Sequence, residues 1–407
     1  MSIATKVRRL LKLPSRLAKV GSGYAISLMM DRGRRTLRSA AEAIGLHPSQ
    51  FGRFLVDHKD LGLENLSRLA RRRLNRVVGK RRFLVNGAPW RVALIIDATL
   101  HERSSLHIDN VQRFNHGDGW VIGHQWTNII LVINDTVIPL PPIPFLTDEK
   151  CKELEIEYKT EPDRIMEYLA KVDWSKLLPN VPASEIVVLS DSGYDNKKLQ
   201  RFILSQGWDF VGSIKKSRSV KTLTQVWQSV ADLFWRTRKI GPWQTVRHQA
   251  GSRKKRRESR VRTLTGFLKG VTREVRLVAV VKPNGEKLYL ACSKAEIDAG
   301  AITRAYRGRW KIEIFHRDLK SYLGLEDAGL EKFDAIHAHV LWAYCVYLML
   351  FELTDESAGG VLARRRKVER ALLDEQLGEI LSLNGRFDST RAVRDHCLQA
   401  RQRLKAS

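Results

Sequence analysis

Cysteine is scarce and scattered. The 407 residues hold four, Cys151, Cys292, Cys345 and Cys397, with no C-x-x-C pair among them, which argues against both a disulfide framework and a cysteine-based zinc site. Four free thiols are expected. Acids are also in short supply: 44 Asp+Glu face 71 Lys+Arg, a formal charge of +27. Long apolar runs are missing too. The longest, VLWAYCVYLMLF from Val340 to Phe351, has 12 residues, short of the roughly 20 a bilayer requires, and reads as a buried helix. The basic N-terminus is not followed by the apolar core of roughly 7–15 residues that marks a secretory signal. A cytoplasmic location, in bacteria beside the nucleoid, is therefore expected, with no membrane partner. Internal repeats and low-complexity tracts are absent outside the charge clusters.

What is there is a chain that can fold. Hydrophobic residues make up 43%, enough to exclude a disordered polycation, and the length suggests roughly two to three domains. A surface this basic favours polyanionic partners, nucleic acid first. The first 90 residues concentrate the charge, with 20 Lys+Arg against 5 Asp+Glu. There RTLRSAAEAI (Arg35 to Ile44) has a helical face, Gly45-Leu46 breaks it and Pro48 restarts a helix. Residues 35–56 are thus helix-turn-helix-like, and the second helix would offer Ser49, Gln50 and Arg53 to a DNA groove. The alternative is an ordinary helical hairpin. A basic connector from Arg71 to Arg82 follows, suited to tracking phosphates or simply solvated.

From Trp90 the texture becomes strand-rich. RVALIID (Arg91 to Asp97) is a short apolar run that stops at an acid, and EIVVLSD (Glu185 to Asp191) repeats the pattern. Between them GHQWTNIILVIND and TVIPLPPIPFL read as two strands joined at a turn, Asn134-Asp135-Thr136. GYDNKKLQRFILSQGW is helical and WDFVGSIKK is the next strand, a strand-helix-strand order that imposes parallel pairing. After Lys216 the alternation lapses into a β-like stretch with Trp227, Trp235 and Trp243 and a very basic segment, RKKRRESRVR (Arg253 to Arg262), read as a loop. Helical pattern resumes at Ile302. The reading is α/β with a mixed sheet, divided as a helical basic DNA-binding domain (1–88), a first core segment (89–215), a β-rich insertion (216–298), a second core segment (299–354) and a helical tail (355–407) containing a loop at GRFDST.

Two strands ending in aspartate place carboxylates at the rim of a sheet, where ligands bind, and hard divalent cations such as Mg²⁺ take one or two carboxylates. Asp97 and Asp191 are therefore candidate metal ligands, although a strand-end aspartate can equally cap the following turn. A third acid comes from AITRAYRGRWKIEIFHRDLKSYLGLE. Read as one continuous helix, it carries Tyr306, Arg309, Glu313 and Lys320 on a single face, while Ile312, Phe315, Leu319, Tyr322 and Leu323 occupy another. By itself Arg309/Glu313 is an i,i+4 surface pair.

The spacing Tyr306-x(2)-Arg309-x(3)-Glu313-x(6)-Lys320 resembles the Y-x(2)-R-x(3)-E-x(6)-K hallmark of bacterial insertion-sequence DDE transposases of the IS-four group. Asp191-Ser192-Gly193-Tyr194 is similar to that group's D-x-G-Y segment, and Asp97 follows an apolar strand as its first aspartate does. The resemblance spans about residues 90–350. It implies an RNase-H-like catalytic core in which Asp97, Asp191 and Glu313 hold two Mg²⁺ ions, with Mn²⁺ able to substitute, and catalyse DNA cleavage and strand transfer. It implies that Tyr306, Arg309 and Lys320 hold phosphates near the scissile bond, and that one of Trp227, Trp235 or Trp243 could stack a flipped base. The expected partners are double-stranded DNA, both terminal inverted repeats and target, and a second copy of the chain in a synaptic complex. Arg253, Lys254, Lys255, Arg256 and Arg257 are expected to contact DNA non-specifically. Two other classes stay open: a catalytically inactive, sequence-specific DNA-binding protein and a host nuclease of the same fold. Asp195 is read as the start of a helix, Asp135 as a turn residue, and Asp318 as lying off the acidic face; His337 and His339 are read as packing residues.

Overall fold

The computed structural model describes residues 2–30, 36–42, 44–79, 82–115, 119–223, 226–239, 242–250 and 255–384. The chain divides into two compact units, one of residues 1–73, 101–124 and 315–407, the other of residues 74–100 and 125–314.

The second unit is built on a mixed sheet. Its strands are β1 (Val92–Glu102), β2 (Gln112–Asn115), β3 (Trp120–Ile133), β4 (Thr136–Pro139), β5 (Ile143–Pro144), β6 (Ile186–Ser190), β7 (Asp209–Ile214), β8 (Ser219–Lys221), β9 (Gln228–Ser229), β10 (Gln244–Ala250), β11 (Lys255–Leu268), β12 (Glu274–Val281) and β13 (Lys287–Cys292), of which the end of β1, β2 and the start of β3 fall in the first unit. The order runs β3-β1-β6-β7-β13-β12-β11-β8-β9, with β4 and β5 on β3 and β10 on β11. β1, β6 and β7 are parallel, and the connection from β6 to β7 is the helix Lys197–Ser205. Val92–Ile96 and Ile186–Leu189 are buried without alternation, as strands covered on both faces must be.

The apolar run of β1 ends where expected, but the strand does not. It continues past Asp97 to Glu102, because β3 remains beside it after the pairing with β6 has stopped at Ile96. Thr136 is not part of the β3–β4 turn: that turn is Asn134-Asp135, both at positive φ, as tight hairpins require. The basic segment read as a loop is strand from Lys255 on, paired with β10 on one side and β12 on the other. Pairing buries Ser259 and Val261 and leaves Glu258 and Arg260 exposed between them, so a charge run conceals a strand pattern. The strands β11, β12 and β13 join β7 through antiparallel pairing of β13.

The first unit is helical. Ile3–Leu10, Ala18–Met29, Leu37–Glu42, Pro48–Asp57 and the start of Asp60–Val77 come from the N-terminal residues, and Phe333–Leu353 and Val361–Asn384 from the C-terminal ones. Phe333–Leu353 has 21 residues, longer than its apolar run. By length and composition it could cross a bilayer, yet 78% of its most apolar window is buried in the protein. Tyr24 lies edge-on to Phe51 and Trp342, and Phe54 packs against Trp342 as well. At Gly62 an added Cβ would stand 2.9 Å from the Cβ of Leu341, so glycine is what allows the two backbones to approach. Ion pairs Lys59–Asp334 and Arg72–Glu352, each at 2.7 Å, tie the same elements. Cys151, Cys292 and Cys345 are free and buried. Arg35, Lys80, Arg81, the loop GRFDST and Cys397 lie outside the described residues.

His339 is buried in this unit, with Nδ1 2.6 Å from the Tyr24 hydroxyl and Nε2 3.0 Å from the Gly324 carbonyl. A carbonyl can only accept, so Nε2 carries the proton and Nδ1 accepts from the phenol. Burial lowers His124, His337 and His339 from 6.5 to about 4. The unfolded chain therefore binds protons first as pH falls. The stability that these neutral rings contribute is complete above about 6.5 and is lost as pH drops through about 4. Thermal melts by circular dichroism should show Tm falling across that window, and less steeply for His339→Gln; identical slopes for the two proteins would contradict this account.

Candidate active site

Within the second unit, strand register brings two of the acids together and a helix brings the third. In the parallel pairing of β1 and β6 the last partners are Ile96 and Ser190, so Asp97 and Asp191 are the next residue on each of two strands that lie about 4.8 Å apart. Each carboxylate also serves its own backbone: Asp97 Oδ1 accepts from the Ala98 N–H at 3.0 Å, and Asp191 Oδ1 from the Gly193 N–H at 2.8 Å. The capping role open from sequence holds for Asp191, which caps the turn Ser192–Tyr194, whereas Asp97 stands within a strand that continues to Glu102; each contact uses one oxygen of the acid.

Glu313 arrives on the helix Trp310–Tyr322. The single continuous helix expected from sequence is in fact two. Ala299–Gly308 ends at a glycine, a poor helix former, and Arg309 forms the junction, its N–H on the Tyr306 carbonyl and its own carbonyl taking the Ile312 N–H, both at 3.0 Å. These i→i+3 bonds tighten the chain at that point. Ile312 is fully buried, which fixes the helix and leaves Glu313 facing Asp97; their nearest carboxylate oxygens lie within 4.8 Å.

Arg309 connects the set. Its Nη1 lies 3.0 Å from Asp97 Oδ2 and 3.2 Å from Glu313 Oε1, with the side chain 14% exposed. Burial alone would lower the arginine's pKa, but the neighbouring carboxylates, Asp97 first, outweigh it and raise the value. Asp97 is pushed up to about 7, mainly by burial and further by the charges of Asp191 and Glu313, against the pull of Arg309. Even with its guanidinium partner the pocket holds more negative charge than it neutralises, a signature of functional sites.

A carboxylate that the sequence did not single out supports this pocket. Glu161 begins the helix Glu161–Lys171 and accepts two hydroxyl hydrogens on Oε1, one from Thr127 in β3 and one from Tyr194 at 2.9 Å. Tyr194 closes the short turn that follows Asp191 and is buried beside Asp97 and Asp191. Nothing in the sequence links Glu161 to a tyrosine 33 positions away. Asp195 also differs from its reading: the helix is capped by Asn196, whereas Asp195 accepts from the Lys215 N–H at 3.1 Å and pairs with Arg218.

Of the other candidates, Tyr306 stands near Arg309. Lys320, in the other unit, pairs with Glu326 at 2.7 Å. Arg53 lies on Pro48–Asp57, and Gln50 lends its side-chain oxygen to the His47 N–H in a capping box. Arg253 and Lys254 lie outside the described residues, and Lys255, Arg256 and Arg257 are described in backbone only, as strand. Arg262 is occupied: it is buried and donates to the Phe234 and Thr237 carbonyls at a helix C-terminus. Trp227, Trp235 and Trp243 are 42%, 62% and 41% exposed, so they are surface rather than core, and Lys221, Arg238 and the pair Arg260/Arg262 lie over their respective rings.

Residues 172–349 match the family model described as "Transposase DDE domain", a span that includes Asp191, Arg309 and Glu313 and begins after Asp97. No curated protein matches the chain. A solved piggyBac transposase synaptic complex with hairpin DNA is similar over 75% of this chain and 56% of that one, at 13% identity and a TM-score of 0.40; this chain spans little more than half of that protein's length. The family match supports a DDE transposase, and hence a DNA-processing enzyme.

If Glu161 is a shared clamp, Tyr194→Phe and Thr127→Val should each cost about 1–2 kcal/mol. The double variant should cost more than their sum, because it leaves the carboxylate without either hydroxyl. Additive losses in urea denaturation would exclude the clamp.

Proposed function

We propose that the chain is a DDE transposase of the IS-four group, with an RNase-H-like core that cuts the ends of an insertion sequence and joins them to target DNA. The observation that carries this reading is the meeting of Asp97, Asp191 and Glu313 at the end of a parallel strand pair. The three acids fit the divalent cations that the family implies, since carboxylate oxygens are the preference of Mg²⁺ and Mn²⁺; burial first, and then the charges of Asp191 and Glu313, raise the Asp97 pKa. Asp97, Asp191 and Glu313 would hold the ions. When bound, these supply Lewis-acid polarisation of the phosphate and activation of the attacking oxygen.

The chain's own side chains bind and orient. Arg309 offers a planar set of donors suited to phosphate, and Tyr306 adds a hydroxyl from the preceding helical turn. Lys320 supplies a further cation for the backbone. The Glu161–Tyr194 bond holds the turn that aims Asp191. The exposed tryptophans of the strand-rich segment are surfaces on which an unpaired base could stack. Gln50 and Arg53 would read a groove of the terminal repeat, and the run from Arg253 to Arg257 would track phosphates without reading sequence. Two ends have to be held together for insertion, so the working form is proposed to be a homodimer.

Replacing Asp97, Asp191 or Glu313 with Ala should abolish cleavage of a terminal-repeat duplex in Mg²⁺ while leaving its binding within about three-fold; normal cleavage by Asp191→Ala would refute the assignment. Incubation with a plasmid target should give joined products, and cuts without joins would indicate a nuclease instead. Neutralising Arg253 to Arg257 should weaken DNA binding and flatten its dependence on salt, by roughly 0.9 in the log–log slope for each phosphate that the variant no longer neutralises. An unchanged slope in fluorescence anisotropy would remove this segment from the interface.

A further inference from the structure

The oxygens that Arg309 occupies belong to two of the acids proposed to hold the metal. Its Nη1 bridges Asp97 Oδ2 and Glu313 Oε1, and the side chain is largely withdrawn from water. It leaves the backbone at the junction of two helices, where a side chain can be redirected without unwinding either one. A guanidinium on Asp97 Oδ2 and Glu313 Oε1 competes with a divalent cation for those two oxygens, and the two positive charges would repel at a few ångströms.

We propose that Arg309 is an internal counter-cation, which holds Asp97 and Glu313 in the DNA-free protein and yields them to a divalent cation when a DNA phosphate draws the guanidinium away. Metal loading and DNA binding are then linked through one side chain, and the linkage is reciprocal. Asp97 and Glu313 keep a cationic partner while no substrate is present, and the cation site becomes available where there is a phosphodiester to act on. This inference rests on the metal reading above and adds to it a role for Arg309 that phosphate contact alone would not require.

The test is titration of the full-length protein with Mn²⁺, followed by the electron paramagnetic resonance signal of the free ion. It is run with and without a terminal duplex ending in a 3′-dideoxynucleotide, which offers no hydroxyl for joining. Without DNA, Arg309→Ala should bind Mn²⁺ roughly ten-fold tighter than the unmodified protein. The duplex should tighten Mn²⁺ binding to the unmodified protein by a similar factor and leave Arg309→Ala unchanged. Arg307→Ala, which removes a charge one turn or less away, is the control for charge alone and should behave as the unmodified protein. Should Arg309→Ala unfold by circular dichroism, Arg309→Gln replaces it with the same expectation. Equal shifts for the Arg307 and Arg309 variants, or a duplex effect that survives without Arg309, would overturn the proposal. Mn²⁺ binding that is absent throughout, or that is insensitive to Asp97→Asn, would overturn the metal reading itself.

Discussion

Parallel pairing of β1 with β6 constrains everything in the site. Two strands in parallel register carry their residues forward in step, so when both change from apolar to acidic at the same step, the carboxylates emerge side by side at the end of the pairing. Ile96 and Ser190 are the last partners, and Asp97 and Asp191 follow directly. Shifting the register by one residue would send one carboxylate to the opposite face of the sheet. The buried runs Val92–Ile96 and Ile186–Leu189 fix that register, and the core of the unit thereby determines where its charge is placed.

The protein carries a net charge of +27, yet its chemistry is gathered around a locally acidic pocket. Burying and concentrating acids is unfavourable: burial first, and the charges of Asp191 and Glu313 after it, raise the Asp97 pKa, and the fold tolerates this through specific contacts. Backbone N–H groups take one oxygen each from Asp97 and Asp191, Arg309 bridges Asp97 to Glu313, and the Glu161–Tyr194 bond restrains the turn beside them. A basic surface favours polyanionic partners, and under the proposed function the carboxylate pocket would receive such a partner together with cations.

Much of this is legible in the sequence where the signal is local. Apolar runs that stop at an acid locate β1 and β6, and the polar turn between them and the crossover helix follow from hydrophobic pattern. Motif spacing singles out Arg309 and Glu313. What escapes depends on neighbours distant along the chain. β1 runs on past Asp97 because another strand remains beside it, and no local property of Asp97 says so. The basic segment from Lys255 reads as a loop because strand pairing, rather than residue type, makes it β11. The junction at Arg309 breaks a pattern that periodicity alone would continue through Gly308. Glu161 gives no sign at all, since its partners come from β3 and from the turn after β6.

The first unit is assembled from segments at opposite ends of the chain, with Tyr24, Phe51 and Phe54 packed around Trp342 and its neighbours on Phe333–Leu353. During synthesis the N-terminal helices leave the ribosome about 300 residues before the helix that completes their core. At roughly 5–20 residues per second, their aromatic faces wait on the order of tens of seconds without that cover. Glu313 is translated after both aspartates and just ahead of this helix. An unfinished chain therefore lacks Glu313 and the packing of its leading helices together.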